Sequence, residues 1–321
     1  MSEESNKKTD EAQKSDTAAQ SRRWRRFILI FLAVVLVFLP VSNAVGYEFV
    51  FRNLFKDEMR DIEANEETEL KLLEDRGITR TEYRVETTKN RFLQGYYYRA
   101  SDRDDSGISR LIIFSHGIGN GHIAYIDAIA EFALLPGTAV FAYDAFGNGR
   151  SDGDACGGLP QGVADLDRVI TYVEESGSFP ASDITLVGHS WGAYSAGSVL
   201  EFHPEIKKAV LYAGFNASEN MLQEYAERYA GPVVNVMLPY VELYEMIKFG
   251  AAGNASIVRG CLQTGTEVHI IQALDDETID PEKYGIRYLE KELSDDSDVS
   301  FTELESGGHR FLPEIVAGFL E

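Results

Sequence analysis

The chain has 321 residues, 44% of them hydrophobic and 26% charged, which excludes a wholly disordered or fibrous protein. Its 52 acidic residues outnumber its 30 basic residues and give a net charge of -22, which argues against a nucleic-acid-binding protein because phosphate backbones are bound by Lys and Arg. The two cysteines, Cys156 and Cys261, exclude a disulfide scaffold; we expect buried, unpaired thiols, with pairing in an oxidising compartment as the alternative.

The N-terminal region has the pattern of a signal anchor. Residues 1–26 are polar, end in a cluster of four arginines and are predicted to form a disordered tail. Residues 27–47 contain no charged side chain, and about 20 predominantly apolar residues suffice for a helix that crosses a bilayer. Trp24 and Tyr47 flank this segment, as aromatic residues do at membrane interfaces. Because arginines favour the cytoplasmic side, we expect a single-pass membrane protein with its remaining residues outside the cytoplasm.

A cleaved signal peptide is the alternative interpretation. The most apolar part of the segment, residues 27–39, also suits the short h-region of a secretory signal. Ser42 and Ala44 supply the small residues of a cleavage site, and a secreted protein would begin after Ala44. The long polar tail ahead of the arginines favours the anchor.

Residues 48–78 are predicted to form a helical stalk. The stretch is rich in charge, and Phe55, Met59 and Ile62 recur at helical spacing. Gly77 ends the helical pattern. We therefore expect a juxtamembrane stalk that packs on a catalytic domain formed by residues 79–321.

Strands and helices alternate along that domain. Two alternating stretches, at residues 81–87 and 91–99, predict a leading hairpin. Apolar runs that predict buried strands follow at residues 111–114, 139–143, 184–187, 209–213, 268–273 and 299–304. Helical periodicity appears at residues 123–134, 163–173, 193–202, 282–293 and 311–320. This order predicts an α/β fold with a mostly parallel sheet covered by helices on both faces.

Residues 216–266 interrupt the alternation, because they separate two predicted strands where a single helix would suffice. Met221, Leu222 and Tyr225 share one helical face, and a second apolar stretch runs from residue 233 to 249. Long insertions of this kind are often lids over a site, so we predict a helical cap. A plain helical crossover with extra surface turns is the alternative.

Residues 188–192 read Gly-His-Ser-Trp-Gly, between a predicted strand and a predicted helix. This is the G-x-S-x-G nucleophile elbow in the strand–turn–helix context that it requires. Ser190 is therefore the candidate nucleophile. A serine hydroxyl needs an adjacent base to remove its proton.

The base and the acid are expected further along the chain, in the order serine, acid, histidine. His309 follows the last predicted strand and two glycines, and is the candidate base. The acid should follow the preceding strand, where Asp275 and Asp276 are adjacent. Asp276 is preferred because Asp-x-x-Ile, which ends here at Ile279, is the usual pattern of the loop that carries the acid. Asp275 stays the alternative. The acid would hold the imidazole tautomer and stabilise the imidazolium.

A glycine-rich loop, His-Gly-Ile-Gly at residues 116–119, follows the strand predicted at 111–114. In this architecture the loop supplies one backbone N–H of an oxyanion hole, and the residue after the nucleophile supplies another. We therefore predict the backbone amides of Ile118 and Trp191 as the two donors. The glycine spacing of this loop departs from the dinucleotide-binding pattern, which argues against a nucleotide cofactor.

These motifs, in this order, resemble the α/β-hydrolase superfamily from about residue 91 to 321, and within it the monoacylglycerol lipase and serine aminopeptidase-like group. The elbow, the His116 loop with His122, and the loop of His309 are similar to the group's motifs. So are residues 143–151, in which Asp144 is expected to brace its loop rather than take part in catalysis. The resemblance implies a Ser–Asp–His hydrolase that uses no cofactor and no metal.

We therefore expect a membrane-anchored serine hydrolase that cleaves a carboxylic ester, small or lipid-like, through an acyl-enzyme. Two alternatives stay open: an aminopeptidase-like amide hydrolase, and a non-catalytic binding module on a hydrolase scaffold. In the amide hydrolase, acidic residues of the cap would hold a substrate ammonium group. Those residues are Glu219, Glu224, Glu227, Glu242 and Glu245.

Overall fold

The computed structural model describes residues 2–53, 62–87, 90–177 and 179–320. The α-helices of these residues are α1 (Ser2–Ala33), α2 (Leu39–Asn53), α3 (Ile62–Asp75), α4 (Ile126–Leu134), α5 (Gln161–Glu175), α6 (Trp191–Val199), α7 (Ser218–Ala230), α8 (Leu238–Phe249), α9 (Ile257–Leu262), α10 (Ile286–Glu292) and α11 (Pro313–Ala317). The strands are β1 (Ile78–Glu86), β2 (Phe92–Ala100), β3 (Arg110–Ser115), β4 (Thr138–Tyr143), β5 (Ile184–His189), β6 (Lys208–Tyr212), β7 (Glu267–Ala273) and β8 (Val299–Leu304).

All eight strands form one sheet in the order β1-β2-β4-β3-β5-β6-β7-β8. The first two strands form the expected antiparallel hairpin, and β2 continues antiparallel to β4. Every other pair is parallel, from β4 through β3 and β5 to β8. The carboxyl ends of the parallel strands therefore meet at one edge, where loops carry the side chains of a site.

Helices cover both faces of the sheet and create two apolar clusters, one on each side. The central strands β4 and β5 are buried along their whole length, as expected for strands covered on both faces. Four helices are shorter at one or both ends than their periodicity predicts: α4, α6, α10 and α11. Helix α10 begins only at Ile286, because Pro281 and Gly285 precede it, and neither favours a helix interior.

The chain begins with a nearly continuous helix, in which a π-helical segment (Val34–Phe38) joins α1 to α2. Residues 2–26 are helical rather than the disordered tail expected from their composition. The Ala, Glu, Gln and Lys residues of this stretch are good helix formers, so the apolar helix extends toward the N-terminus. Among the described residues, Ala19–Asn53 is long and apolar enough to cross a membrane, and its most apolar window is unburied. Membrane anchors and signal sequences share these properties.

The segment expected to be a stalk is helical where the structure describes it. Phe55 and Met59, two of the residues that suggested its periodicity, lie outside the described residues. Helix α3 packs on the sheet through Glu69, which is buried and 2.6 Å from the guanidinium of Arg80 on β1. This ion pair fixes α3 on the domain, because a buried carboxylate is costly unless it is paired.

The insertion at residues 216–266 contains α7, α8 and α9. An isolated bridge between Ala217 and Ser256 joins the two ends of the α7–α8 region. Helix α8 also packs against α2, so the N-terminal helix and the insertion form one assembly beside the sheet.

Candidate active site

The turn between β5 and α6 holds Ser190 in a strained conformation. Its φ of 55° and ψ of -118° lie in a region that residues other than glycine rarely adopt. A Cβ at Gly192 would lie 2.0 Å from the carbonyl oxygen of Ser115, and one at Gly188 would lie 2.2 Å from that of Gly192. Both flanking positions therefore require glycine, as the elbow motif predicts, and Ser190 is presented at the carboxyl edge of the sheet.

The candidate nucleophile, base and acid form one hydrogen-bonded chain. Ser190 Oγ lies 2.8 Å from His309 Nε2. On the other side of the ring, His309 Nδ1 lies 2.8 Å from Asp276 Oδ2. Residues that are 119 and 33 positions apart in the sequence are thus brought into contact by the loops that follow β5, β7 and β8.

The adjacent carboxylates Asp275 and Asp276 have different partners. Asp276 is buried, and its Oδ1 accepts hydrogen bonds from the backbone N–H groups of Thr278 and Ile279. Burial alone would raise the pKa of Asp276, but its hydrogen bond to His309 and these amides hold that pKa below its usual value. Asp275 instead accepts a 2.8 Å hydrogen bond from the backbone N–H of Gly308, and so supports the loop of the histidine. Only Asp276 contacts the imidazole.

The glycine-rich loop after β3 lies against the elbow. A Cβ at Gly117 would be 3.6 Å from the Cβ of Ser190, so the next residue, Ile118, follows directly beside the nucleophile. Trp191 is the first residue of α6, where backbone N–H groups have no partner within the helix. Both residues predicted as oxyanion donors therefore belong to the two segments that border Ser190.

A second chain of buried polar groups, which was not predicted from the sequence, lies behind the site. The backbone N–H of Gly117 donates to Tyr125 Oη at 3.1 Å, and this hydroxyl lies 2.8 Å from His189 Nδ1. His189 Nε2 lies 3.0 Å from the carbonyl oxygen of His309. Burial, followed by the nearby His309, lowers the pKa of His189 to about 3, so the ring is neutral.

The neutral state of His189 and its carbonyl partner fix the direction of every hydrogen bond in this second chain. A carbonyl oxygen only accepts, so Nε2 of the neutral His189 carries the proton and Nδ1 accepts from Tyr125. The chain therefore links the glycine-rich loop to the loop of His309. The position of His189 inside the elbow was the only sequence signal for it, since Tyr125 ends a short 3-10 helix that has no distinguishing motif.

Asp144 braces its own loop, as the resemblance implies. It is buried and accepts hydrogen bonds from the backbone N–H groups of His122 and Arg150, and from His122 Nδ1 at 2.7 Å. Burial would raise the pKa of Asp144, but the His122 ring holds that pKa well below its usual range. His122 in turn has its pKa raised to about 9, because Asp144 and Glu69 outweigh the effect of burial. The structure thus gives Asp144 a supporting position, away from Ser190.

A polar groove of about 440 Å³ borders Asp276 and is lined by Leu274, Tyr284 and charged side chains of both signs. Glu224 of the cap lines this groove and already lies 2.7 Å from Lys283 Nζ. Glu245, in contrast, is buried away from the groove, where its Oε1 accepts from Ser218 at 2.7 Å. Glu224 and Glu245 therefore lie apart and already have partners, whereas Glu219 and Glu242 contact each other.

The two cysteines and one cluster of possible metal ligands lie apart from the hydrogen-bonded chain of Ser190. Cys156 and Cys261 are free and buried, as expected, and burial raises the pKa of both thiols to about 12. Among the described residues, Glu174, His203 and Glu205 bring possible metal ligands together. Because they lie beyond the opposite end of α6 from Ser190, they are separate from the hydrogen-bonded chain.

Residues 107–259 match a family model described as "Serine aminopeptidase, S33". Among curated proteins, no sequence matches this chain. Solved structures match its fold. An esterase from Pyrococcus furiosus has a TM-score of 0.58 and 18% identity, over 77% of this chain and 92% of the esterase. An acetyl xylan esterase from Thermoanaerobacterium has a TM-score of 0.53 and 15% identity, over 84% of this chain and 95% of that one.

A puromycin-hydrolyzing peptidase from Mycobacterium tuberculosis is similar as well, with a TM-score of 0.56 and 17% identity. It matches 75% of this chain but 37% of its own, so the similarity concerns one part of that peptidase. The sheet order, the elbow and the family match agree with one another. This chain has the α/β-hydrolase fold, and its residues 107–259 are similar to the serine aminopeptidase family.

Proposed function

We propose that the chain is a membrane-anchored serine hydrolase that cleaves a carboxylic ester through an acyl-enzyme intermediate. The observation that carries the proposal is the chain of 2.8 Å contacts from Ser190 Oγ through His309 to Asp276. It is supported by the strained turn, which presents the hydroxyl at the carboxyl edge of the sheet beside His309.

In the proposed mechanism, Ser190 Oγ attacks the ester carbonyl carbon while His309 Nε2 removes the hydroxyl proton. Asp276 stays ionised, holds the Nδ1–H tautomer and stabilises the imidazolium. The backbone amides of Ile118 and Trp191 donate to the oxyanion of the tetrahedral intermediate. His309 then returns the proton to the leaving alkoxide, and an alcohol departs from the acyl-enzyme.

Hydrolysis of the acyl-enzyme repeats these steps with water. His309 removes a proton from the attacking water, and the oxyanion again accepts hydrogen bonds from the two backbone amides. His309 then returns the proton to Ser190 Oγ, which leaves as the hydroxyl. The acid product is released and the enzyme returns to its starting state. Every proton in this cycle moves through the one imidazole, which is the reason that the proposal needs no metal.

An ester rather than an aminoacyl amide is favoured by the state of two of the acidic cap residues, Glu224 and Glu245. A substrate ammonium group would need free carboxylates near Ser190. Glu224 is engaged by Lys283, and Glu245 is buried against Ser218 and the N-terminal helix. The similar esterases support the same choice, whereas the family match and the similar peptidase keep amide hydrolysis as the competing activity.

The anchor part of the proposal depends on residues 27–47. Cleavage after Ala44 would remove Val35, whose carbonyl oxygen accepts a hydrogen bond from Tyr240 on α8. One residue ahead of the cleavage position thus contacts α8, which favours an uncleaved anchor over a signal peptide. With the four arginines on the cytoplasmic side, the catalytic domain lies outside the cytoplasm.

A fluorophosphonate probe tests the hydrolase directly, because it forms a covalent bond with an activated serine. We expect labelling of the full-length protein and no labelling of Ser190→Ala; equal labelling of both would contradict the proposed nucleophile, and labelling of neither would favour a binding module. Turnover of nitrophenyl esters compared with aminoacyl anilides then separates esterase from aminopeptidase activity.

The anchor is tested separately. We expect alkaline carbonate to leave the full-length protein in the membrane fraction, and external protease to remove the catalytic domain but protect the tail. A soluble protein that begins at Val45 would contradict the anchor and leave the hydrolase unaffected.

A further inference from the structure

Helix α8 of the cap lies beside the apolar N-terminal segment rather than beyond its end. Tyr240 Oη donates a 3.0 Å hydrogen bond to the carbonyl oxygen of Val35. Val35 belongs to the π-helical segment, where the regular backbone ladder is interrupted. Buried or lipid-facing carbonyls need a partner, and Tyr240 provides one near the middle of residues 27–47. The start of α8 therefore approaches the depth of the proposed membrane span.

A second set of contacts fixes the other end of α8 to α2. Tyr47 Oη donates to the buried Glu245 at 2.7 Å, and Tyr244 Oη donates to Glu48 at 2.7 Å. The rings of Tyr47 and Tyr244 also meet edge to face, with centroids 5.2 Å apart. Lys248 donates to Glu48 as well. Because α8 is held at both ends, its orientation relative to the N-terminal helix is determined.

The opposite face of α8 is apolar and exposed. Pro239, Leu243, Met246 and Ile247 follow i, i+4, i+7, i+8 spacing and share this face. Leu243, Met246 and Ile247 are 45%, 43% and 72% exposed. Pro239 is also exposed.

Two of the three charged residues of α8, Glu245 and Lys248, are on the other side of the helix, and the third, Glu242, contacts Glu219 of α7. Glu245 is buried, and Lys248 points toward Glu48 and the carbonyl oxygen of Gly157. On a helix at a water-exposed surface the charged side chains face solvent and the apolar side chains face the core. Helix α8 has the reverse arrangement, which is expected of a helix whose outer face meets lipid.

We propose that the outer face of α8, formed by Pro239, Leu243, Met246 and Ile247, is embedded in the bilayer leaflet on the side of the catalytic domain. The inference rests on the proposed anchor at residues 27–47. The bilayer is its partner because the face is continuous with a segment that crosses the membrane, and because Tyr240 reaches that segment near its middle. The cap is then a second, interfacial membrane contact.

Single cysteines carrying a fluorophore test this arrangement in the full-length protein, because the native cysteines are buried and shielded from labelling. The sites are Leu36→Cys in the anchor, Ile247→Cys on α8, and Leu262→Cys as a control. Leu262 is 59% exposed and precedes the amino end of β7, at the edge of the sheet opposite the site. Each labelled protein is placed in phosphatidylcholine nanodiscs with or without spin-labelled phosphatidylcholine.

We expect a loss of emission caused by the spin-labelled lipid at positions 36 and 247, and none at 262. Quenching at 36 without quenching at 247 would overturn this inference and leave the anchor intact. Absence of quenching at 36 would contradict the anchor itself. Emission at 247 that is shifted to shorter wavelength but is not quenched by the lipid would mean that protein, such as a second copy, covers the face, and would also overturn the inference.

Tyr240→Phe gives an independent test, because it removes the hydrogen bond to Val35 while the ring remains. We expect the spin-labelled lipid to quench the label at position 247 less strongly, and to quench the label at position 36 as before. Tyr83→Phe, a change of the same kind on the exposed side of β1, is the matched control. Unchanged quenching at both positions in Tyr240→Phe would show that this hydrogen bond does not set the depth of α8.

Discussion

Side chains are held differently in two regions of the molecule. One region is the carboxyl edge of the sheet, and the other is the contact between the predicted cap and the N-terminal helix. At the sheet edge, short loops after parallel strands place Ser190, His309 and Asp276, and backbone amides fix the acid. At the cap, α8 meets α2 through long side chains such as Tyr47 and Lys248. The first arrangement is set by local motifs on a rigid scaffold, whereas the second is set by contacts between segments about 200 residues apart.

This difference separates two kinds of expected mutational effect. Changes at the sheet edge should alter the chemical step with little effect on stability, because these side chains act on the reacting atoms. Changes between α2 and α8 should alter stability and its pH dependence, because these contacts join two elements without touching Ser190. The following predictions test that separation, beginning with the largest effect.

Ser190→Ala and His309→Ala should each lower kcat for a nitrophenyl ester by roughly 10⁶-fold, because nucleophile and base act as a unit. The thermal unfolding temperatures of both variants should stay close to that of the wild type. Ser198→Ala makes the same chemical change further along α6 and should retain activity. Near-normal turnover in either catalytic variant would contradict the proposed triad.

Asp276→Asn should lower kcat by about 10⁴-fold, because an amide favours the wrong tautomer of His309. Asp275→Asn is the matched control: its side-chain oxygen still accepts from the backbone N–H of Gly308, so a much smaller loss is expected. Steady-state kinetics on one ester compares the two. Equal or reversed losses would assign the acid to Asp275.

Glu245→Gln should change the pH dependence of stability while leaving the ester kinetics close to those of the wild type. Burial raises the pKa of Glu245 from 4.5 to about 7, against the opposing effect of its bonds to Ser218 and Tyr47; Glu242 and Lys248 also face it. Since the folded state binds this proton more tightly, the wild type loses stability as pH rises from about 4.5 to about 7. The variant lacks this loss. At about 1.4 kcal/mol per pKa unit, the loss amounts to roughly 3 kcal/mol of the free energy of unfolding.

Thermal unfolding of the full-length protein in nanodiscs, measured from about pH 5 to about pH 9, checks this prediction, because that range covers most of the titration window of about 4.5 to about 7 and extends above it. The difference between the variant and the wild type should grow across the window and stay constant above it. Glu227→Gln, whose carboxylate bonds Gln223 and Asn235 instead, is the control for loss of a cap charge. A difference that does not vary with pH would show that Glu245 is ionised throughout.

Tyr125→Phe should have the smallest effect, a loss of about tenfold in kcat, which corresponds to about 1.4 kcal/mol. The hydroxyl joins the amide of Gly117 to His189, so its loss lets the loops of the oxyanion donors and of His309 shift. Tyr143→Phe removes a buried hydroxyl that bonds Ser115 instead, and should affect kcat less. Equal kcat losses in both variants would indicate a general packing effect.

Much of the site could be predicted because its signals are local. The glycines around Ser190 are required by the turn itself, and the order of the motifs along the chain follows from the order of the parallel strands. The α/β-hydrolase fold is confirmed, and the geometry at Ser190, Asp276 and His309 agrees with the predicted triad, whose catalytic roles stay predictions. The disordered tail expected at residues 1–26 is helical in the structure.

Other features needed the folded chain. The choice between Asp275 and Asp276 depended on which carboxylate faces the imidazole, and adjacent residues in one loop carry nearly the same sequence signal. Tyr125 had no motif to mark it. The contact between Val35 and Tyr240 joins residues 205 positions apart, and no periodicity predicts such a pair.

The sequence by itself determined the α/β-hydrolase fold, the apolar N-terminal segment and the residues available for nucleophilic chemistry. Turns, hydrophobic periodicity and the run of uncharged residues all depend on near neighbours in the chain. Tertiary structure decided which acid meets the histidine, how His189 joins two loops, and that the apolar face of α8 points outward beside the N-terminal helix. Those outcomes depend on the packing of segments that are distant in sequence, where burial and hydrogen bonding select one partner among several of similar chemistry.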